Sequence, residues 1–363
     1  MVSRYLPVIE DYAKRPGYEG NLHWDRRNPY FYYPYIFVSP FVVGFKVTRK
    51  DFQKPEYRND DLTIYADSGG FQIAVKHQKA SVLDILRWQE GLADIAFTVD
   101  VPAYSYRDPS EKFKGYPRQY FERCLAKSVE NAELMMSAKE NEKMQLWAVL
   151  QGRNITETME WYKAITKNYE FDGYCVAITA AVNNTEAKED WISQLAITRY
   201  LDTNIHFLGR CEPLIALVLA KLSSVTGKTY TYDSSTSAGS FRWGKYLDPY
   251  FQSAWSLSKY EEKRIKVNML PCNCPVCRKH TIEELADTKK GYLLYMHNVY
   301  VKVVFDKFAN AIATDDDLFK RVLRKIVNSM NLSRDLKRKT IREVEDIIYN
   351  DAYHTEQSLS KFF

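Results

Sequence analysis

Three carboxylates and an amide stand where chemistry is possible. Asp67, Asp100, Gln151 and Asp233 each come at or just after the end of a short apolar, β-branched run, and Thr179 and Gly209 take the same place after two other runs. A carboxylate with an ordinary pKa of roughly 4 is already a charged nucleophile at neutral pH. A second carboxyl in a different environment can then deliver and retrieve a proton. Taken singly, each of these residues is as readily a helix N-cap or a turn residue, so it is their recurrence at run ends that points to a site.

A second constellation lies at 271–280, which reads Pro-Cys-Asn-Cys-Pro-Val-Cys-Arg-Lys-His. Cys272, Cys274 and Cys277 form Cys-x-Cys-x2-Cys, and His297 follows Cys277 after 19 intervening residues. Three thiolates and one imidazole close a tetrahedral site with no position left for water or substrate, the donor set of a structural zinc. His280 competes with His297 as the fourth ligand. Cys124, Cys175 and Cys211 sit in apolar or helical patterns and read as buried reduced thiols.

The elements that must position these groups follow from periodicity. Between about residue 62 and residue 233, short apolar runs alternate with longer amphipathic segments, the pattern of repeated βα units. The runs are 62–66, 95–99, 145–150, 174–178, 205–208 and 229–232, and 35–45 upstream offers a further strand. Helical patterns such as 81–93 and 117–138 separate them. In a parallel barrel the strand C-termini converge on one face, so Asp67 and Asp233 can line one pocket despite their separation in sequence. A doubly wound sheet would alternate in the same way, but no glycine-rich phosphate fingerprint follows an early strand.

Bulk composition adds less. The 51 basic and 46 acidic residues leave a net charge of only +5, so a nucleic-acid footprint must come from local clustering. Nine basic residues and one acid fall between Lys320 and Arg342, with Leu, Ile and Val at helical spacing. That stretch could grip phosphates, or equally be a solvated helical face. No segment approaches the roughly 18 apolar residues needed to span a bilayer, and no secretory leader is evident. The expectation is a protein without membrane contact, in the cytoplasm, or in the host cytoplasm for a viral source.

Asp-Ser-Gly-Gly-Phe-Gln at 67–72, Leu-Gln-Gly at 150–152, His-Phe-Leu-Gly at 206–209, Asp-Ser at 233–234 and the cysteine cluster with His-Asn at 297–298 together resemble the tRNA-guanine transglycosylase superfamily. Their order and approximate spacing agree over roughly residues 60 to 300. The resemblance implies a (β/α)8 TIM barrel with a C-terminal zinc-binding subdomain, and base exchange with structural Zn2+ and no organic cofactor. It implies that Asp233 is the nucleophile and Asp67 the acid/base group. Asp100 and Gln151 would bind the edge of the base, Phe71 and Leu208 would sandwich its faces, and Ser68, Thr179 and Gly209 would complete the pocket. At 177–179 the family's Gly-Gly-Leu is replaced by Ala-Ile-Thr, which leaves backbone contacts there.

These residue types suit the chemistry on physical grounds. A departing guanine accumulates negative charge that a second carboxyl relieves by proton transfer, as in retaining glycosidases. Guanine offers N1–H and a 2-amino group as donors and O6 as acceptor, which a carboxylate beside an amide would match. A base taken out of its stack regains stacking energy between apolar slabs.

Departures from the family's pattern sharpen the expectation. Bacterial tRNA-exchanging relatives carry a Pro-Thr-Arg-like element after the nucleophile; here 233–240 reads Asp-Ser-Ser-Thr-Ser-Ala-Gly-Ser. The RNA-binding domain of archaeal tRNA enzymes is likewise expected to be absent. Both features make DNA the expected polymer over tRNA, as in the DNA guanine transglycosylases that insert 7-deazaguanines. No acid lies between Thr179 and Glu186, so a neutral 7-cyano-7-deazaguanine base is expected over an aminomethyl one. The alternatives are exchange on tRNA and a non-catalytic zinc-dependent nucleic-acid-binding subunit; a homodimer or an accessory protein is among the expected partners. The domains expected are a barrel over 1–265, a zinc-binding subdomain over 266–305 and a basic helical segment over 306–363 packed on the barrel.

Overall fold

The structure, a computed structural model, describes residues 2–9, 22–103, 117–177, 192, 194–234, 244–248, 254–256, 272–287 and 291–350. Eight parallel strands form a (β/α)8 barrel: β1 (Ser3–Pro7), β2 (Tyr35–Val38), β3 (Thr63–Ala66), β4 (Ile95–Phe97), β5 (Gln145–Leu150), β6 (Gly173–Ala177), β7 (Ile205–Leu208) and β8 (Tyr230–Ser234). Each strand from β2 to β8 pairs with the next, and β8 pairs with β1. Between β1 and β2 the wall is joined by a parallel bridge of Val8 with Phe37, where the Ile9 N–H donates to the Phe37 carbonyl at 2.9 Å. A hairpin of β9 (Lys245–Leu247) and β10 (Ala254–Ser256) stands apart from the barrel sheet.

The helices between strands are α1 (Pro40–Val43), α2 (Arg49–Phe52), α3 (Gly70–Lys76), α4 (Val82–Glu90), α5 (Arg118–Ala138), α6 (Ile155–Ile165) and α7 (Pro213–Thr226). After β10 come α8 (Ile282–Ala286), α9 (Gly291–Ile312), α10 (Asp316–Ser329) and α11 (Arg334–Tyr349). Among the described residues no helix is long and apolar enough to cross a membrane.

Strand side chains alternate between two apolar cores, as the two-residue repeat of a strand requires. Leu6, Phe37, Tyr65, Phe97, Trp147, Val149 and Cys175 fill the barrel. Their neighbours Tyr5, Ile36, Ile64, Ala96, Leu146 and Tyr174 face the helical layer. The barrel interior is therefore packed below and turns polar only at the C-terminal ends of the strands. Cys124, Cys175 and Cys211 are buried, as their apolar settings indicate.

Three expectations change in detail. The run 35–45 is a strand only to Val38, because Pro40 starts α1 at a position where the missing N–H costs nothing. β8 runs past Tyr232 to Ser234, so Asp233 is the penultimate residue of the strand and stands at its C-terminal end. β4 ends at Phe97, short of Val99. Beyond Phe97 the alternation breaks: the Val149 N–H is taken at 3.0 Å by the Thr98 hydroxyl, and Val99 joins the outer core. An irregularity of this kind re-aims the following side chain, and it brings Asp100 to Gln151, the residue just past the C-terminal end of β5.

The basic stretch folds as α10 and α11. Phe319, Leu323 and Val327 of α10 and Val344, Ile347 and Ile348 of α11 are buried, while Arg321, Arg324, Lys325, Arg338 and Arg342 are exposed. α9, which precedes these helices, is bonded to the barrel. Its Lys302 ammonium donates to the Cys211 carbonyl at 2.8 Å, and its Asp306 carboxylate accepts from the Tyr232 hydroxyl at 2.9 Å and the Ser3 hydroxyl at 3.1 Å.

Candidate active site and metal centre

Asp67 continues the line of β3, its N–H donating to the Val38 carbonyl at 2.8 Å. Its carboxyl accepts backbone hydrogen bonds from Gly69 and Ser68, yet burial, with the nearby Asp100 and Asp233, pushes it up to about 7. Asp100 is buried, and burial raises its carboxyl to about 6 in spite of a 2.6 Å hydrogen bond donated by Gln151 Nε2. The close seat of Asp100 depends on Gly70, where an added Cβ would fall 2.4 Å from Asp100 Oδ1. Ser68 Oγ and Gln151 Oε1 are buried with no hydrogen-bond partner among the described residues. Buried polar atoms are seldom left so, and these two flank the carboxylates.

Asp233 enters from β8 and is 4 % exposed. Its Oδ1 accepts the Gly209 N–H at 2.7 Å and lies 3.1 Å from His206 Nε2. Gly209 holds φ at +85°, a conformation that side-chain-bearing residues rarely adopt, which turns its N–H onto the carboxylate. Leu208 is half-buried over the interior core. Phe71, on the first turn of α3, is 41 % exposed, with the Lys76 ammonium 5.9 Å from its ring centre. Thr179, Glu186 and the run 235–243 lie outside the described residues.

The structure thus gathers Asp67, Ser68, Asp100, Gln151, Gly209 and Asp233 at one end of the barrel. It also adds His206, to which the sequence assigned no role. A histidine inside an apolar run reads as core, and the sequence signal is only its place in His-Phe-Leu-Gly. The pairing of β7 with β8, which sets His206 opposite Thr231, is what carries it to Asp233.

The raised carboxyls have a measurable consequence. A carboxyl whose folded pKa lies above its unfolded value stabilises the fold below the unfolded value, and that contribution is lost as pH rises through the folded one. For Asp67 the window runs from about 4 to about 7. Asp67→Asn should therefore gain melting temperature relative to the parent chain as pH is raised from 4 to 8. Thermal melts of both proteins across that range check this, and a difference that stays flat with pH would refute it.

The second cluster is equally well defined. One ligand atom from each of Cys272, Cys274, Cys277 and His297 lies within 4.8 Å of the others, an arrangement that could hold a metal ion. His297 Nδ1 is 3.4 Å from Cys274 Sγ and 3.3 Å from Cys277 Sγ, while Nε2 is 2.8 Å from the Leu247 carbonyl. A proton on Nε2 directed at that carbonyl leaves Nδ1 as the ligand atom. The Cys274 N–H donates to Cys272 Sγ at 3.4 Å and the Cys277 N–H to Cys274 Sγ at 3.2 Å, contacts that suit thiolates. Tyr246 stacks on His297 with ring centres 3.9 Å apart. His280 is engaged elsewhere, with Tyr30 Oη 2.8 Å from Nε2 and Glu284 Oε2 3.2 Å from Nδ1. The donor set fits a tetrahedral ion such as zinc.

No family model matches the chain. It is similar to archaeal proteins named tRNA-guanine(15) transglycosylase. One from Methanococcus aeolicus is 26 % identical over 251 residues, which cover 66 % of this chain and 35 % of the relative. One from Methanosarcina mazei is 25 % identical over 248 residues, covering 66 % and 45 %. One from Haloferax volcanii is 22 % identical over 272 residues, covering 72 % and 48 %. The matched part of this chain corresponds to between a third and a half of the length of these relatives. The similarity, low in identity and shared by several relatives, supports the tRNA-guanine transglycosylase superfamily.

Proposed function

We propose that the chain is a guanine transglycosylase, a pentosyltransferase that exchanges a base in a nucleic acid through a covalent aspartyl intermediate. The observation that carries this reading is the gathering of Asp67, Asp100, Gln151 and Asp233 at one end of the barrel, with Asp67 held near neutrality. The relatives' names supply the reaction class.

In this reading Asp233 attacks C1′ of the target nucleoside, and the C1′–N9 bond breaks with its electron pair leaving on guanine. The protonated Asp67 gives its proton to the departing base. An incoming base then returns its N9 proton to Asp67, attacks C1′ and displaces Asp233. Asp100, with Ser68 Oγ and Gln151 Oε1, meets a base edge that both donates and accepts. We take the ion of the Cys3His site to be a structural zinc: it would be held by Cys272, Cys274, Cys277 and His297, and would secure the fold without entering the reaction.

The polymer is where the reading departs from the sequence-based expectation. That expectation favoured DNA, but the relatives are named for tRNA, and the comparisons lend no support to DNA. tRNA is therefore the favoured substrate. Labelled guanine should enter unmodified tRNA, measured beside duplex and single-stranded DNA under identical conditions. Incorporation into DNA alone would restore the DNA reading, and incorporation into none of them would overturn the transferase reading. For the incoming base we propose a neutral 7-deazaguanine, since no acid precedes Glu186 after Thr179. An aminomethyl base that outcompetes the cyano base would overturn that choice.

A further inference from the structure

Resting on the base-exchange reading, we propose that His206 is a positioning residue that commits Asp233 to attack through one oxygen, Oδ2. His206 is fully buried inside the barrel, between Thr231 Oγ1 at 2.9 Å from Nδ1 and Asp233 Oδ1 at 3.1 Å from Nε2. A neutral imidazole carries one N–H and one acceptor nitrogen. A carboxylate oxygen only accepts, so Nε2 bears the proton and donates to Oδ1. Nδ1 is then the acceptor, and the Thr231 hydroxyl, able to serve either way, donates to it. Thr231 thereby sets the tautomer.

The ring has little freedom to leave this line. Phe37 stacks on it with centres 5.5 Å apart and an interplanar angle of 12°, and Phe97 with 5.0 Å and 29°. The Gly209 N–H, just beyond the end of the strand that carries His206, donates to the same Oδ1 at 2.7 Å, out of a backbone conformation that glycine holds without strain. Two fixed donors thus converge on Oδ1. Oδ2 has no partner among the described residues, and its lone pairs are left for C1′. The covalent bond forms at Oδ2 as C1′–N9 breaks, and later breaks there when the incoming base arrives.

Fixing one oxygen matters because attack needs a near-attack geometry, and a misplacement of about 1 Å costs about 100-fold in rate. The test compares three variants in single-turnover formation of the covalent adduct on a labelled nucleic acid, with KM for the base and thermal melts measured on the same samples. His206→Phe keeps the stacked shape and removes the donor; adduct formation should fall about 100-fold with KM little changed. His206→Gln can place an amide N–H toward Oδ1 and should recover about tenfold of that loss. Thr231→Val leaves the histidine in place but frees its tautomer, and should slow the step by a smaller factor.

If Gln is no better than Phe, and all rates follow melting temperature, His206 is a core residue only and the proposal fails. A parent chain that exchanges no base on any polymer overturns the base-exchange reading itself, before any variant is compared. Should His206→Phe not fold, Thr231→Val decides, since parental adduct kinetics in a folded Thr231→Val protein would sink the tautomer argument.

Discussion

Asp233→Asn should yield a folded protein whose base exchange is lower than the parent's by about three to five orders of magnitude. The substitution keeps shape and volume, and an amide oxygen can still accept the Gly209 N–H and face His206. What it removes, in the proposed reaction, is the anionic oxygen whose electron pair attacks C1′. Because the site is reached from one end of a packed barrel, little of the stability depends on that charge, and melting should change by only a few degrees. Exchange of labelled guanine gives the rate, and mass spectrometry of denatured mixtures gives the adduct on the parent chain and its absence in the variant. Turnover within tenfold of the parent would remove Asp233 from the role of nucleophile. Combined with Asp67→Asn the losses should not add, since both groups serve one step.

The second large effect is expected at the metal. Freshly purified protein should carry about one zinc per chain, and Cys274→Ser should lose it. Cys274 is 2 % exposed and central to the cluster, so a vacant site would leave thiolates crowded together without the charge that binds them. Structural zinc sites in small peptides are worth about 10–16 kcal/mol of apparent binding free energy, coupled to folding. The hairpin should loosen with the metal, because His297 meets the Leu247 carbonyl and Asn298 accepts the Leu247 N–H at 3.0 Å. Hydrogen exchange at 245–247 and along the first turns of α9 reads that loosening. His297→Ala should lose the metal and His280→Ala should keep it; the reverse pattern would move the fourth ligand to His280.

Most of the barrel was legible because buried parallel strands are continuous apolar runs, and six of them stand out between residues 62 and 233. β1 was not read. It is five residues long and carries Arg4, whose guanidinium packs 4.0 Å over the Tyr35 ring; a charge in so short a run reads as surface until the neighbouring strand is in place. The run from Tyr35 looks longer than the strand it holds for the opposite reason, since Phe41, Val42 and Val43 are as apolar as a strand but follow Pro40 into a helix. Asp67 and Asp233 could be found because they end their runs. The inward turn of Asp100 rests on the break at Thr98, which no two-residue repeat foretells. No role for His206 shows in the sequence, because its partners are 25 and 27 residues away and are fixed only by strand register.

The first strand of this barrel also sets a clock for its synthesis. β1 pairs with β8, Ser3 opposite Tyr230, and the Ser3 N–H donates to Asn310 Oδ1 at 2.8 Å across 307 residues of sequence. A ribosome adding about 5–20 residues per second would finish those partners roughly 15–60 s after making Ser3. Through most of that interval β8 does not yet exist, so the edge of β1 that it will cover stays open, the condition in which chains pair wrongly or recruit chaperones. A variant in which β1 is moved from before β2 to just after α9 would cut its separation from β8 from more than 200 residues to about 80, and should refold faster than the natural order while keeping the same barrel.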